Sequence, residues 1–128
     1  MDKVQLVTAF WADVVAQRAH NLREYFIPTA TINWHNTNEH FTVEEYIVAN
    51  CEYPGDWRGQ VERLEIFGDK AVSVTRVWLA DQNISYHAVS FFGFVGDKIA
   101  ILDEYWGDDG APPQWRQDKN IGSFIHTF

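Results

Sequence analysis

At Trp57 the hydrophobic period of the chain changes from that of a helix to two, and it stays at two as far as Gly107. Strict alternation is the mark of strands, whose successive side chains point to opposite faces. Four runs are separable, at 57–67, 70–80, 84–95 and 98–107. Gly68-Asp69 divides the first pair and Gly96-Asp97 the last, each followed by Lys. Such dipeptides suit tight hairpins, because Gly takes positive φ without penalty. Consecutive long strands leave an apolar sheet face that something else in the chain has to cover.

The N-terminal part supplies that cover. Val4, Val7, Trp11, Val14 and Arg18 recur at helical spacing, flanked by Phe10, Val15 and Leu22, and predict an amphipathic helix over 3–20. Asp2 is placed to cap it, with Gln5 three residues on. A short helical piece from Leu22 to Phe26 ends before Pro28, and A-T-I-N-W-H over 30–35 reads as a strand closed by the turn N-T-N-E. Thr42 and Glu45 form a capping box, Phe41 and Tyr46 occupy the positions of a hydrophobic staple, and this helix stops near Tyr53-Pro54-Gly55. The expectation is an α+β fold: one domain over 1–128, with helices on one face of a curved antiparallel sheet. Beyond Gly107 the chain holds Pro112-Pro113, Trp115 and an apolar end at 121–128.

Composition narrows the function. A formal net charge of −8 disfavours nucleic acid and anionic membrane surfaces as partners. A single cysteine, Cys51, permits no internal disulfide and fits a reducing compartment. The start M-D-K-V-Q-L-V has no signal-peptide character, and no apolar run reaches spanning length, so a cytoplasmic protein is expected. No Gly-rich phosphate loop or Cys/His cluster is present, so no cofactor is expected. His35, Glu39 and His40 fall in a turn without the i, i+4 spacing of a helical metal site. Aromatics make up 16% of the residues, six of them Trp, enough both to fill a core and to line a pocket for a flat ligand.

Hairpin counting places side chains on faces. With a two-residue loop at Gly96-Asp97, Phe91 pairs with Leu102, Val89 with Glu104 and His87 with Trp106. The same count about Gly68-Asp69 groups Trp57, Val61, Arg63 and Glu65 with Val72, Val74, Arg76 and Trp78. An even loop near Asp81-Gln82 joins the groups, so Arg76, His87 and Glu104 share one aromatic-rich face within roughly 10 Å. The other face, with Thr75, Val77, Ala88, Ser90 and Tyr105, is small-sided and suits a second sheet in a homodimer. One bulge reverses every later assignment.

Two helices, a strand ending W-H-N-T-N-E, the capped helix F-T-V-E-E-Y-I and four long strands ending L-D-E-Y-W-G-D-D-G resemble the SnoaL-like branch of the nuclear transport factor 2-like superfamily. The resemblance implies a cone: a curved sheet wrapped around helices, with one pocket at the wide end and dimerisation through the sheet. Its enzymes place an acid or base carboxylate on pocket-facing strands, the placement that Glu104 resembles on the last strand. The tyrosine and paired aspartates of ketosteroid isomerase have no match here, and the arginine–aspartate set of limonene-epoxide hydrolase is approached only by Arg76 and Glu104.

Three functions are therefore expected as alternatives. One is a cofactor-independent isomerase, cyclase or dehydratase acting on a small apolar carbonyl compound, with Glu104 as the base and His87 and Arg76 as its setting. The others are a non-catalytic binder of a small apolar or aromatic ligand, and an assembly domain. The bland reading of Glu104 is a buried partner for Arg76 or His87; that of His87 is a satisfied core histidine. Trp34, Trp57, Trp78, Trp106, Phe91 and Trp11 are the candidate ligand-binding side chains, against plain core filling.

Overall fold

The computed structural model describes residues 1–126; residues 127 and 128, the end of the apolar tail, lie outside the described residues. The elements are α1 (Lys3–Val15), α2 (Ala19–Glu24), β1 (Phe26–Trp34), β2 (Glu39–Phe41), α3 (Val43–Cys51), β3 (Trp57–Phe67), β4 (Lys70–Leu79), β5 (Ser85–Val95), β6 (Lys98–Asp108) and α4 (Gln114–Lys119). The six strands form one sheet in the order β2-β1-β6-β5-β4-β3. The α+β class and the four long C-terminal strands agree with the sequence reading. The sheet, however, is mixed: β1 runs parallel to β6. The helices preceding and following β1 let it return alongside the last strand, a connection that no local signal discloses.

Both capping boxes form. Asp2 accepts from the Gln5 amide at 2.8 Å, and Thr42 from the Glu45 amide at 3.3 Å, with each partner side chain reaching back to the cap backbone. The helix expected over 3–20 is broken. Gln17 adopts φ 56, a left-handed conformation that ends α1, and its Nε2 donates to the carbonyls of Asn50 and Tyr53 at 2.9 and 2.6 Å. The buried Asp13 carboxylate then ties α1 to α2 by accepting from Arg18, Asn21 and Tyr25 at 2.8, 3.2 and 2.6 Å.

Gly68 and Gly96 take φ +64 and +58, as the two hairpins require. The expected pairing holds from each turn only as far as a bulge. Between β3 and β4 the register shifts at Glu62, so Arg63 and Glu65 oppose Val74 and Val72 as counted, whereas Val61 opposes Thr75 and Trp57 opposes Leu79. Between β5 and β6 it shifts at Ala100, so Phe92 opposes Leu102, Ser90 opposes Glu104 and Ala88 opposes Trp106. One extra residue on β6 therefore moves Glu104 and Trp106 to the opposite face from Arg76 and His87. The expected grouping of Arg76, His87 and Glu104 is overturned. Arg76 does pair with His87, on the outer face.

The inner face is the one the helices cover. Phe10 stands at its centre, edge-on to Phe26 and Phe92 at 5.8 and 5.7 Å and stacked with Tyr46 at 6.5 Å. Ala88, Ser90 and Thr75, expected in a dimer contact, are completely buried beneath these helices, and Val77 nearly so. That expectation is corrected: of the residues named for the contact, only Tyr105 lies on the open outer face.

Candidate ligand pocket

Register sorts the inner face into rows, each two residues deeper than the last and so separated by roughly 7 Å. The outermost row carries Asp108, Tyr86 and Val77; the next carries Trp106, Ala88 and Thr75; the third carries Glu104, Ser90 and Ser73; the fourth carries Leu102, Phe92 and Ala71. The parallel pairing of β1 adds Trp34 to the third row, beside Glu104.

The helices do not fill the first two rows. A cavity of about 680 Å³ lies there, walled by Trp34, Trp57, Tyr86, Trp106, Val14, Val15, Val77 and Ala49. Its polar lining is Gln17, Asn36, Thr37, Asn50, Tyr53 and Asp108, of which Asn36, Thr37, Tyr53 and Asp108 are exposed and form the rim. The aromatic wall is continuous: ring centroids are 5.3 Å apart for Tyr53 and Trp57, 6.0 Å for Trp57 and Tyr86, 6.4 Å for Tyr86 and Trp106, and 6.5 Å for Trp106 and Trp34. Burial, with Tyr53 and Asp108 beside it, raises the Tyr86 pKa above the ordinary tyrosine value, so the hydroxyl stays protonated.

Glu104 lies just below this wall and does not line the cavity. It is 1% exposed, accepts from Ser90 Oγ at 2.5 Å and from Trp34 Nε1 at 3.1 Å, and has no cation against it among the described residues. Burial pushes its pKa up and the two hydrogen bonds only partly offset this, leaving it at about 7. The Trp34 indole is thus both a wall of the cavity and the cover over the carboxylate.

The other sequence candidates are elsewhere. His87 is held on the outer face between Asp109 at 2.5 Å and Glu62 at 2.8 Å, and Arg76 lies over Trp78 at 4.6 Å. Trp78 and the 45%-exposed Phe91 are outer-face residues. Trp11 is core: its Nε1 donates to Ser73 Oγ at 3.2 Å and its ring meets Trp106 edge-on. His35 bonds to Asp103 at 2.7 Å, and His40 to Asn33 at 2.7 Å, so both belong to an outer-face polar chain. Trp34, Trp57 and Trp106 are the candidates that reach the cavity. Sequence reasoning missed Tyr86, Tyr53, Asp108 and the amides of Gln17, Asn36 and Asn50. Tyr86 and Asp108 follow from strand alternation once the Ala100 bulge is known; the amides lie outside the strands and had no signal.

No protein-family model and no curated protein sequence matches the chain. Solved structures do match its fold. A candidate ketosteroid isomerase from Kribbella flavida DSM 17836 superposes with a TM-score of 0.78 at 21% identity, covering 96% of this chain and 89% of that one. A nuclear transport factor 2-like protein of unknown function from Burkholderia xenovorans LB400 gives 0.74 at 16%, covering 94% and 93%. A candidate SnoaL-like polyketide cyclase from Jannaschia sp. CCS1 gives 0.68 at 16%, covering 80% and 83%. At these identities the likeness concerns the fold.

Proposed function

The chain has the cone fold of nuclear transport factor 2-like and SnoaL-like proteins, and from that premise we propose that it binds a small, ring-bearing, largely apolar molecule in the cavity at its wide end. The observation carrying this reading is the uninterrupted arc of Tyr53, Trp57, Tyr86, Trp106 and Trp34 around about 680 Å³. That volume suits a small organic ligand, and flat faces favour a flat guest. Glu104 supports binding over catalysis, because both its oxygens are engaged by protein donors and Trp34 stands between it and the cavity.

Indole fluorescence tests this directly. Titration with 1-naphthol is expected to quench the tryptophan signal saturably with one site, and Trp106→Ala to weaken binding roughly tenfold, the cost of one lost aromatic contact. Linear, non-saturating quenching across neutral mono-, bi- and tricyclic alcohols and ketones would overturn the reading.

Proton transfer is the second reading, favoured by one observation: a carboxyl with a pKa of about 7 directly under the cavity wall. Rotation of Trp34 would expose it. In this reading 2-tetralone exchanges its α-hydrogens with solvent deuterium in the presence of the protein, and Glu104→Gln abolishes that exchange. The outer-face positions of His87 and Arg76 leave them no part in it. A homodimer through the outer face, where Phe91, Ile101 and Tyr105 are each close to half exposed, belongs to the same proposal.

A further inference from the structure

The charge and hydrogen-bonding character of the cavity wall selects among ring-bearing ligands. Among the described residues, none of those lining the cavity is Lys, Arg or His, and one, Asp108, is acidic. An aromatic face carries partial negative charge, so an arc of rings attracts cations as well as apolar groups. The amides at the mouth add to this. Both protons of Gln17 Nε2 go to the backbone carbonyls of Asn50 and Tyr53, and Asn50 Nδ2 donates to the Val14 carbonyl at 3.0 Å and to Cys51 Sγ at 3.9 Å. The unengaged atoms of these two amides are therefore oxygens, whereas at the rim Asn36 has its oxygen taken by the Trp106 amide at 2.6 Å and presents its NH2.

Asp108 completes the arrangement. It is the inner-face residue directly opposite Tyr86 in the β5–β6 ladder, at the open end of the row. Its carboxylate makes no side-chain hydrogen bond or ion pair with any described residue, whereas its neighbour Asp109 is fully engaged by Ser85 and His87 at 2.6 and 2.5 Å on the outer face. One unpaired carboxylate at the lip, an arc of five indole and phenol rings and no competing cation among the described lining residues make a receptor for positive charge on a small apolar body. A carboxylate or phosphate guest finds no cation among the described residues lining the cavity, and Asp108 and the net charge of −8 oppose its approach.

We propose that the ligand class is an organic ammonium cation, a tertiary or quaternary amine carried on an apolar or aromatic group, with the charged head between the Trp57, Tyr86 and Trp106 rings and Asp108. This rests on the cavity being a ligand site, as proposed above, and adds the sign of the guest's charge.

An isosteric pair separates the two claims. 4-(Trimethylammonio)phenol and 4-tert-butylphenol differ only in a charged nitrogen replacing a carbon, and both are titrated into the full chain by calorimetry at one ionic strength. The cation is expected to bind roughly tenfold tighter than the neutral isostere. Asp108→Asn is expected to lower the ratio of cation affinity to 4-tert-butylphenol affinity several-fold, and Trp57→Leu, which keeps apolar bulk, to lower that ratio again. Equal affinity, or tighter binding of the neutral compound, overturns the charge assignment and leaves the cavity reading standing. Binding of neither compound overturns both. A preference that persists unchanged in Asp108→Asn and Trp57→Leu places the cation elsewhere and overturns the proposal.

Discussion

Glu104 is the residue at which the physics of this protein is most concentrated. A carboxyl with no exposed surface is costly when charged, and two neutral donors do not replace a cation. Its pKa rises from 4.5 to about 7, which corresponds to about 3 kcal/mol between its protonation states. Because the folded value lies above the unfolded one and the group is an acid, the folded state binds the proton more tightly. Its contribution is therefore most favourable below pH 4.5 and is lost as pH climbs to about 7. Glu104→Gln removes the titration while keeping shape. Urea melts are expected to show the variant gaining about 3 kcal/mol on the parent between pH 4.5 and pH 8. Parallel stability curves for the two proteins would mean that the carboxylate is solvated or paired in solution.

At the scale of elements, the two bulges do most to define this sheet. The one at Glu62 swings a carboxylate to the outer face, where it meets His87; the end of β6 brings Asp109 to the same imidazole. Three strands are thereby tied at one point. The hydrogen bond to Asp109 raises the His87 pKa, burial opposes it, and Glu62 adds to the rise. A raised histidine contributes stability that is complete below its ordinary value of 6.5 and is lost as pH rises through the folded value. His87 and Glu62 are each more than one-third exposed, so the effect is discounted to about 1 kcal/mol or less. In a Glu104→Gln background, which silences the larger titration, His87→Gln is expected to flatten the remaining fall in stability above pH 6.5. An unchanged slope in urea melts would assign that fall to other groups.

At the scale of the whole molecule, the cone has two unlike sheet faces. The inner one is covered by α1–α3, and the outer one is open and carries Phe91, Ile101 and Tyr105 with half-buried Val72, Val74 and Val89 around them. Those apolar side chains are the contact surface of the proposed dimer. Sedimentation equilibrium at micromolar concentration is expected to give a dimer, and Phe91→Glu, which places charge at its centre, a monomer with an unchanged far-ultraviolet spectrum. A parent protein that sediments as a monomer excludes the contact.

Local chemistry was legible in the sequence wherever a few neighbouring residues determine conformation. The Asp2/Gln5 and Thr42/Glu45 caps, the Gly68 and Gly96 turns and the four period-two strands all follow from such short-range rules, and together with the resemblance they were enough for the cone. The break at Gln17 was not legible, because a glutamine takes positive φ there only when α3 and the segment after it offer carbonyls to its side chain. The parallel seat of β1 beside β6 is likewise a long-range choice. The candidate site turned on one residue. Alternation has a period of two, so the single extra residue at Ala100 exchanges the faces of everything after it on β6 and sends Glu104 and Trp106 inward, away from His87 and Arg76. Nothing in the local sequence of a strand marks such a bulge. It is the packing of Leu102 and its neighbours against the helical layer that selects the register, and only the tertiary structure contains that layer.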